Sequence, residues 1–544
     1  MGFSEDFDGV IKETGGFGRF QKKQLLLVVV PYILFYSFIL NFVFIIGKPS
    51  HWCHVPGREE TNLTLEEWKQ ITLPVYVDMD HIEMPSKCQR YINQTQMLNV
   101  TQCTHGWEYS TDVYKETAVT QFNWVCDDKR MATYAVTLTF LAHALSSFLF
   151  GPITDYLGRK VVFLVTILIW VSFGSAALFS TSPTAFLVLW FIKNLTHQSC
   201  SVALIVLLTE FVLPEQRGLL NMLMQLTWPI GMALMTLITW LFEGHWKYAG
   251  LATTLPLIYF LFLSYYLPES PRWLAARGRV KEAEAIIFRI AKDNGKEMPK
   301  NVNEVLTKHN DEVKKIGFIT LIRYAKQRTR ILSVMLTSAA GSFVYTGSTL
   351  SVAFSAGNRK DSTYLRMFLL SIMDIPGQLF AVWFMDKVGR RVSTAILLMS
   401  SAIFCIIAAA IPPNVDLLVL FVIILAKATN AGIFLTVMTH QLEVFPTAFR
   451  ATAMTPTSIL VGLVNLIVPL VVELEAINSA LPFLCFSILP LIAAPMHLLL
   501  PETANKSLPQ SIEESEEFGS TQKFWSLNKN DEVSLKKEKE HTNL

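Results

Sequence analysis

Charged residues are scarce in this chain of 544 residues. Asp, Glu, Lys and Arg make up 17% of it, whereas 51% is apolar and the mean hydropathy is +0.38. A soluble domain carries about 25% charged residues. The formal net charge of +2 lacks the clustered basic excess of a nucleic-acid-binding protein. A glycine-rich phosphate-binding loop is also missing from the sequence, which argues against a pump driven by ATP.

The apolar residues are gathered in long runs. A helix needs about 20 apolar residues to cross a hydrocarbon core of about 30 Å. Residues 1–23 are polar, and the first run is long enough to stay as a spanning helix, so we expect no cleavable secretory signal. We predict an all-α integral membrane protein of twelve helices in two six-helix bundles. The predicted runs are 24–46, 131–154, 160–179, 184–208, 217–241, 247–267, 331–351, 363–385, 392–411, 415–440, 452–472 and 479–500.

Three short charged motifs occur twice in the same order. In each pair, the second copy follows the first at nearly the same distance along the chain. Landmarks that recur at nearly one offset indicate an internal duplication, because chance matches would not keep both order and spacing. The motif pairs are Asp155–Lys160 with Asp386–Arg391, Glu210–Arg217 with Glu443–Arg450, and Pro268–Ser270 with Pro501–Thr503.

A hydrophilic loop, 48–127, separates the first two predicted helices. It holds four of the seven cysteines and three acceptor sequences for N-glycosylation. Together these features indicate an oxidising, glycosylating compartment outside the cell. Three disulfide pairings of the four cysteines are open at this stage. The cysteines are Cys53, Cys88, Cys103 and Cys126, and the acceptor residues are Asn62, Asn93 and Asn99.

The distribution of charged residues indicates the same orientation, with the loop 48–127 outside the cell. Residues 270–330 contain fifteen Lys and Arg against seven Asp and Glu, whereas residues 49–126 contain five against ten. Basic connections stay on the cytoplasmic side, so both termini are predicted there, with an amphipathic helix at 280–290 under the membrane. The charged tail is predicted to be disordered. The predicted units are the N-terminus 1–23, a bundle 24–267, a linker 268–328, a bundle 329–500 and the tail 501–544.

Several motifs resemble the solute carrier 22 family of organic ion transporters, within the major facilitator superfamily. They are Gly15-Gly-Phe-Gly-Arg-Phe-Gln21, His105-Gly-Trp-Glu-Tyr109, Thr120-Gln-Phe-Asn-Trp-Val-Cys126, Pro268-Glu-Ser-Pro-Arg-Trp-Leu274 and Glu443-Val-Phe-Pro-Thr447. The resemblance implies a plasma-membrane transporter of small amphiphilic organic cations or zwitterions that works by alternating access. It implies no enzymatic activity, cofactor or metal. The expected partners are a small organic ion and the lipid bilayer, with no nucleic acid and a monomeric transport unit.

The resemblance also assigns a gate to the duplicated motifs. Gly158 and Gly389 permit a tight turn, and Asp155 and Asp386 end helices where a carboxylate can meet the N-terminal end of a helix from the other half. The charged network would hold the cytoplasmic side shut. The alternative is that the basic residues only set topology. The predicted gating residues are Asp155, Arg159, Glu210, Arg217, Glu269, Arg272, Asp386, Arg390, Glu443 and Arg450.

A substrate path needs polar or aromatic groups inside apolar helices, where an unpaired charge costs at least about 2–3 kcal/mol. Asp374 and Lys427 match charged positions of the family, and the alternative is an ion pair that only locks the second bundle. Aromatic faces can hold an organic cation, although each ring could equally be packing. Glu473 and Glu475 are expected to end a helix at the outer surface. The predicted substrate residues are Tyr36, Asn41, Gln225, Trp228, Phe343, Tyr345, Asp374, Lys427 and Phe434.

Charge preference follows from departures from the family pattern. Its cation carriers tend to have an acid in the middle of helix 11 and its anion carriers an Arg, but this chain has Gly462. The anion carriers' Lys after the helix 8 Pro is Gln378 here, and a helix 4 Arg is Trp190, with Lys193 one turn away. Asp374 favours a cation or zwitterion. The alternatives are an organic anion transporter or exchanger of the same fold, a non-transporting receptor, and an enzyme using the outer loop, which shows no convincing triad or metal cluster.

Overall fold

The chain is mostly helical, in a computed structural model that describes residues 7–77, 83–93, 98–263, 265–299, 302–312, 323–354, 360–412, 415–445, 450–504 and 512–519. Within these residues, ten helices are long and apolar enough to cross a membrane, and Leu481–His497 is a shorter apolar helix. The sixth predicted span is present as two helices joined by a 3-10 turn that contains Pro256, whose missing N–H interrupts the helical hydrogen bonds. Together these make the twelve spans expected.

We number the spans in chain order. Spans 1 to 6 are Arg19–Leu40 with Phe42–Ile45, Arg130–Leu157, Arg159–Leu178, Pro183–Leu195 with His197–Thr209, Pro214–Leu241, and Trp246–Thr254 with Tyr259–Leu263. Spans 7 to 12 are Ala325–Phe354, Lys360–Ile372 with Asp374–Val388, Arg390–Ala410, Asp416–Val444, Arg450–Asn465 with Val468–Val472, and Leu481–His497. We call the side of the bundle that carries residues 48–127 the loop end, and the side that carries residues 268–328 the linker end.

The two halves meet along two pairs of long helices. Span 2 packs against span 11, and span 5 packs against span 8. A Cβ on Gly462 of span 11 would lie 2.6 Å from the Cβ of Ala144 in span 2, so the absence of a side chain permits this close approach. At the loop end, the Tyr364 hydroxyl donates to the Val113 carbonyl over 2.8 Å, and Thr133 donates to Glu473. The loop end therefore joins the two halves in this conformation.

The described residues of the loop between spans 1 and 2 contain three short antiparallel ribbons. Their strands are His51–Cys53 with Trp107–Tyr109, Val75–Val77 with Glu83–Pro85, and Gln89–Asn93 with Leu98–Gln102. Two helices, Leu65–Thr72 and Ala118–Phe122, and 3-10 turns at Arg58–Glu60 and Cys126–Asp128 complete it. Disulfides join Cys53 to Cys103 and Cys88 to Cys126, which selects one of the three pairings. Asn62 and Asn99 are exposed, whereas the side chain of Asn93 lies outside the described residues.

The linker helices pack under the first bundle at Pro271–Ala276, Val280–Asn294 and Val302–Glu312. The region predicted as an amphipathic helix at 280–290 lies in the helix Val280–Asn294, whose residues Ala283, Ile287, Ile290 and Ala291 are buried. The helix Phe7–Glu13 joins their apolar cluster through Phe7, Val10 and Ile11. The Asn294 side chain accepts from the Phe20 backbone N–H over 2.8 Å, so the N-terminal segment is tied to the linker.

Part of the tail is ordered, which corrects the prediction of disorder for that part. Ile512–Glu517 is a helix that lies at the start of span 7. The Arg330 guanidinium donates to the Ser515 carbonyl over 2.6 Å and to the Phe518 carbonyl over 2.7 Å. Both Arg330 and Ser515 are buried. A short charged segment without a hydrophobic pattern gave no signal of this docking, because polar contacts hold it.

Candidate functional site

A buried ion pair lies in the C-terminal half, in the middle of the apolar bundle. The Lys427 ammonium on span 10 lies 2.6 Å from Asp374 Oδ2 on span 8, and neither side chain is exposed to solvent. Tyr345 on span 7 also donates to Asp374 Oδ2, over 2.7 Å. Asp374 Oδ1 is buried and accepts no hydrogen bond within the described part of the chain. One carboxylate oxygen is thus held by two donors, and the other is open to a further donor.

A break in span 8 creates this arrangement. The helix Lys360–Ile372 ends and a second helix begins at Asp374, two residues before Pro376. Proline has no N–H and cannot continue the ladder of hydrogen bonds. Lys427 donates to the Leu370 carbonyl, which lies close to this break, over 3.0 Å. Buried polar groups at a helix break are tolerated where they find partners of this kind.

Close packing of spans 8 and 10 brings the two charges together. A Cβ on Gly377 would lie 2.3 Å from the carbonyl oxygen of Ala428, so only glycine fits at this crossing. Gly377 stands one turn after Asp374, and Ala428 directly follows Lys427 in the chain. The glycine therefore sets the distance between the helices that carry the pair.

Aromatic residues connect the ion pair to the N-terminal half. The Trp228 indole N–H on span 5 donates to the Tyr345 hydroxyl over 2.7 Å, and the Tyr36 ring on span 1 lies 4.8 Å from the Trp228 ring. The Phe434 ring contacts the Tyr345 ring edge-on at 5.6 Å. Four of the five predicted aromatics thus lie in one cluster with Asp374.

The other predicted substrate residues lie apart from this cluster. Phe343 packs its ring against Phe486 at 5.1 Å, since a separation of two residues from Tyr345 turns it to another side of the helix. Asn41 is fully buried beside Gly250 of span 6. Gln225 donates to the Met438 sulfur over 3.3 Å and so touches the second half separately. No hydrogen bond or ring contact joins these three side chains to Asp374 or Lys427 in the described residues.

At the linker end, each half carries the same acidic cap. The Glu269 carboxylate accepts from the backbone N–H of Arg159 over 3.1 Å and from that of Lys160 over 3.1 Å and 3.2 Å. The Glu502 carboxylate accepts from Arg390 over 2.8 Å and from Arg391 over 3.1 Å. Carboxylates at helix N-termini stabilise by about 0.3–1 kcal/mol at exposed sites. Glu502 was not among the predicted gating residues, although the repeated Pro-Glu motif was the signal for it.

Each cap adjoins an arginine–glutamate pair of its own half. Arg159 lies 3.5 Å from Glu210, and Arg390 lies 3.2 Å from Glu443. Gly158 and Gly389 take positive φ values of 99° and 104° at the turns before these arginines. Glycine adopts such values readily, and a Cβ would collide with the capping carboxylates. A tight turn thus precedes each arginine, and each arginine lies beside a glutamate of its own half.

Two predicted acids behave differently from the caps. The Asp386 side chain is 62% exposed and lies 3.5 Å from Arg390 in its own half. It was predicted to meet a helix N-terminus of the other half. The carboxylates that cap the N-termini of spans 3 and 9 are instead those of Glu269 and Glu502. The side chains of Asp155 and Arg450 lie outside the described residues. Arg217 and Arg272 share the carboxylate of Asp8, with 3.5 Å between Arg217 and Asp8. Asp8 was missed because the N-terminal segment has no repeat or pattern that marks it.

The chain's residues 89–514 match the family model for sugar (and other) transporters. The chain belongs to this transporter family. Solved structures of the xylose transporter XylE from E. coli share its major facilitator fold. In the inward-open form the TM-score is 0.59 at 16% sequence identity, over 91% of this chain and 99% of that one. The partially occluded inward-open form gives 0.58 at 17% identity.

Curated relatives confirm the resemblance to solute carrier family 22. The "Carcinine transporter" of Drosophila melanogaster is 27% identical over 95% of this chain and 80% of its own length. "Solute carrier family 22 member 1" of Bos taurus is 29% identical over 94% and 92%. "Organic cation/carnitine transporter 2" of Homo sapiens is 28% identical over 94% of each. This transporter is therefore a multi-pass membrane protein and not an enzyme.

Proposed function

We propose that this transporter moves small amphiphilic organic cations or zwitterions across the plasma membrane by alternating access, with Asp374 as the carboxylate that binds the cationic group. The observation that carries the proposal is the unequal use of the two carboxylate oxygens. Oδ2 is held by Lys427 and Tyr345, while Oδ1 is buried without a hydrogen-bond partner in the described residues. The names of the relatives, which include transporters of organic cations and of carnitine, agree with this chemistry.

In this scheme the substrate competes with Lys427. Without substrate, the Lys427 ammonium neutralises Asp374 in a region where an unpaired charge is unfavourable. A cationic substrate approaches Asp374 and weakens that pair, while the faces of Tyr345, Phe434 and Trp228 cover its apolar part. Trp228 belongs to the first half and Tyr345 to the second, so a substrate between them contacts both halves. Movement of one half against the other then changes the side from which the site is reached.

The linker-end residues would control that movement. The described pairs Arg159–Glu210 and Arg390–Glu443 stay within their halves while the loop end is joined through Tyr364 and Val113. We propose that this is a form facing the linker end, and that the same charges close that end in the opposite form. The linker end is assigned to the cytoplasm by its excess of Lys and Arg. The predicted units 1–23, 24–267, 268–328, 329–500 and 501–544 remain the proposed organisation, with the glycosylated loop outside and a monomer as the transport unit.

Uptake measured at two membrane potentials tests the proposal. An inside-negative potential contributes about 2.3 kcal/mol per charge per 100 mV, so cation uptake should fall when high external potassium depolarises the cell. Asp374→Asn should abolish this uptake at equal surface expression. Lys427→Ala should retain binding but slow the return of the empty carrier. Robust, potential-independent transport of an organic anion by Asp374→Asn would refute the cation proposal and favour an anion site at Lys427 and Lys193.

A further inference from the structure

A chain of buried polar groups lies at the linker end of the C-terminal half. His440 on span 10 and His497 on span 12 are fully buried, with 3.1 Å between His440 Nδ1 and His497 Nε2. We call these two residues the histidine pair. His440 Nε2 lies 2.9 Å from the Pro501 carbonyl oxygen, and His497 Nδ1 lies 3.1 Å from the Thr337 hydroxyl on span 7. That hydroxyl is also 2.7 Å from the Ser333 carbonyl, so four hydrogen-bonding contacts link two carbonyls through a hydroxyl and two imidazoles.

The number of hydrogen atoms available for these contacts depends on the charge of the histidine pair. A neutral imidazole carries one N–H and a hydroxyl carries one O–H, so the uncharged groups supply three hydrogens for four contacts. In that state Thr337 donates to His497, and His497 donates to His440. His440 then donates to the Pro501 carbonyl. One additional proton gives His497 a second N–H, which donates to the Thr337 oxygen while the hydroxyl turns to Ser333.

Both charge states satisfy the buried side chains. A carbonyl inside a helix accepts from the backbone N–H four residues later, so Ser333 does not need the Thr337 hydroxyl when the histidine pair is neutral. An unpaired buried polar group is costly, and here none arises in either state. Rotation of one hydroxyl accompanies the gain or loss of the proton. The arrangement therefore suits reversible proton binding.

Charged residues of the linker-end gate lie around the histidine pair. His440 stands one turn before Glu443 on span 10, and the carbonyl that it contacts belongs to Pro501, directly before Glu502. Nearby carboxylates offset the charge of a buried imidazolium. The charged groups that act electrostatically on the pair are Glu443, Glu502, Arg390 and Arg391. Further described charges at this end of the packed elements are Arg217 on span 5, Lys326, Arg328 and Arg330 on span 7, Asp386 and Lys387 on span 8, and Glu514, Glu516 and Glu517 on the tail helix.

The histidine pair is an addition to the repeated gate. The interval that relates Glu210 to Glu443 places Leu207 at the position of His440 and Ser264 at that of His497. Both halves nevertheless carry an acidic cap and an arginine–glutamate pair. The caps and the arginine–glutamate pairs therefore form without histidines.

We propose that His440 and His497 bind one proton from the cytoplasmic side and thereby shift the linker-end gate toward closure. The shift comes from competition for Glu443, which in this form lies 3.2 Å from Arg390. A positive charge one turn away attracts the Glu443 carboxylate and repels the Arg390 guanidinium, which releases Arg390 for contacts with the other half. No substrate takes part, so the proposal goes beyond the proposed function. It rests on that function for the gate and for the side on which the linker end lies.

A reporter cysteine at the loop end measures the shift without substrate. The full chain is placed in liposomes, and a membrane-impermeant thiol reagent labels the molecules whose loop end faces outward while only the internal pH is varied. The constant external pH keeps the reactivity of the thiol itself unchanged. Histidine changes charge between about pH 5 and 8. We expect labelling to rise about fivefold as the internal pH falls through this range, at the low end of typical coupling between two sites.

Three variants separate the histidine pair from other titrating groups. The double variant His440→Gln with His497→Gln removes both rings and should abolish the pH response. Thr337→Val keeps both rings but removes the oxygen that accepts from the charged form. It should move the midpoint of the response about one pH unit toward acid. His197→Gln changes a buried histidine of the first half and should respond as the wild type does.

Two results would overturn the proposal: labelling of the wild type that does not rise at acid internal pH, and an equal rise in the double variant. Should the double variant fail to insert, Thr337→Val decides, and a midpoint equal to that of the wild type counts against the histidine pair. Failure of the proposed function looks different. Cation uptake would then be absent while the reporter still responds to pH, or Glu502→Gln would leave labelling unchanged at every pH because the gate controls no movement.

Discussion

Removing one partner of the buried pair should destabilise the protein more than removing both. Lys427→Met leaves the Asp374 carboxylate buried without its counter-charge, and a loss of this kind costs about 3–5 kcal/mol. Asp374→Asn leaves the ammonium of Lys427 in the same position. The double variant, Asp374→Asn with Lys427→Met, contains neither charge. It still loses the hydrogen bond that the Lys427 ammonium donates to the Leu370 carbonyl over 3.0 Å. An unsatisfied buried acceptor costs about 1–3 kcal/mol.

Melting temperatures of the purified variants in detergent measure this difference. One kcal/mol corresponds to about 2–4 °C for a unit of about 150–250 residues, so each single variant should melt at least about 6 °C below the wild type. The double variant should melt above both single variants. A double variant that melts below both would mean that the two losses add, and the reasoning from a coupled ion pair would be refuted. Uptake separates stability from binding, because the double variant should fold and still fail to take up cations.

Three further results are expected. Trp228→Phe removes the hydrogen bond that the indole donates to Tyr345, a loss of about 1 kcal/mol. The half-saturation concentration for uptake should therefore rise about fivefold. An unchanged value would mean that Trp228 does not contribute to substrate binding. Glu269→Gln and Glu502→Gln each weaken a helix cap by about 1 kcal/mol. Each should change the accessibility of a reporter cysteine at the loop end more than Asp386→Asn does. Equal effects of the three variants would contradict the assignment of Glu269 and Glu502 as the caps. Thiol labelling of the denatured protein should find the four loop cysteines blocked until reduction and the three helical cysteines free, and labelling of all seven would disprove the disulfides.

The arrangement of twelve spans in two halves could be predicted from the sequence because it depends on long apolar runs and on repeated motifs. Twelve runs of sufficient length give the spans, and the recurrence of the Asp155 motif at Asp386 gives the two halves. The break in span 8 could be anticipated from Pro376. The docking of the helix Ile512–Glu517 could not, because it depends on hydrogen bonds to Arg330 rather than on hydrophobic periodicity.

The residues of the candidate site could be predicted only in part from the sequence. Charges in apolar helices are conspicuous in a sequence, so Asp374 and Lys427 were found. An aromatic residue in a membrane helix carries no such signal, and Phe343 lies apart from the predicted cluster because its direction depends on the helical turn it shares with Tyr345. Residue spacing alone does not reveal contacts of that kind.

The two disulfides of the loop are interleaved, and this has a consequence for biosynthesis. With the loop outside the cell, as proposed above, a chain synthesised from its N-terminus presents Cys53 and Cys88 to the secretory pathway first, and their partners, Cys103 and Cys126, follow later. Until Cys103 emerges, the only bond that can form within the loop is a non-native one. Thiol–disulfide exchange can reverse such a bond through a mixed disulfide. Maturation of this loop therefore depends on how fast the cell reshuffles early bonds, and a host that oxidises thiols without isomerising them would trap the wrong pair.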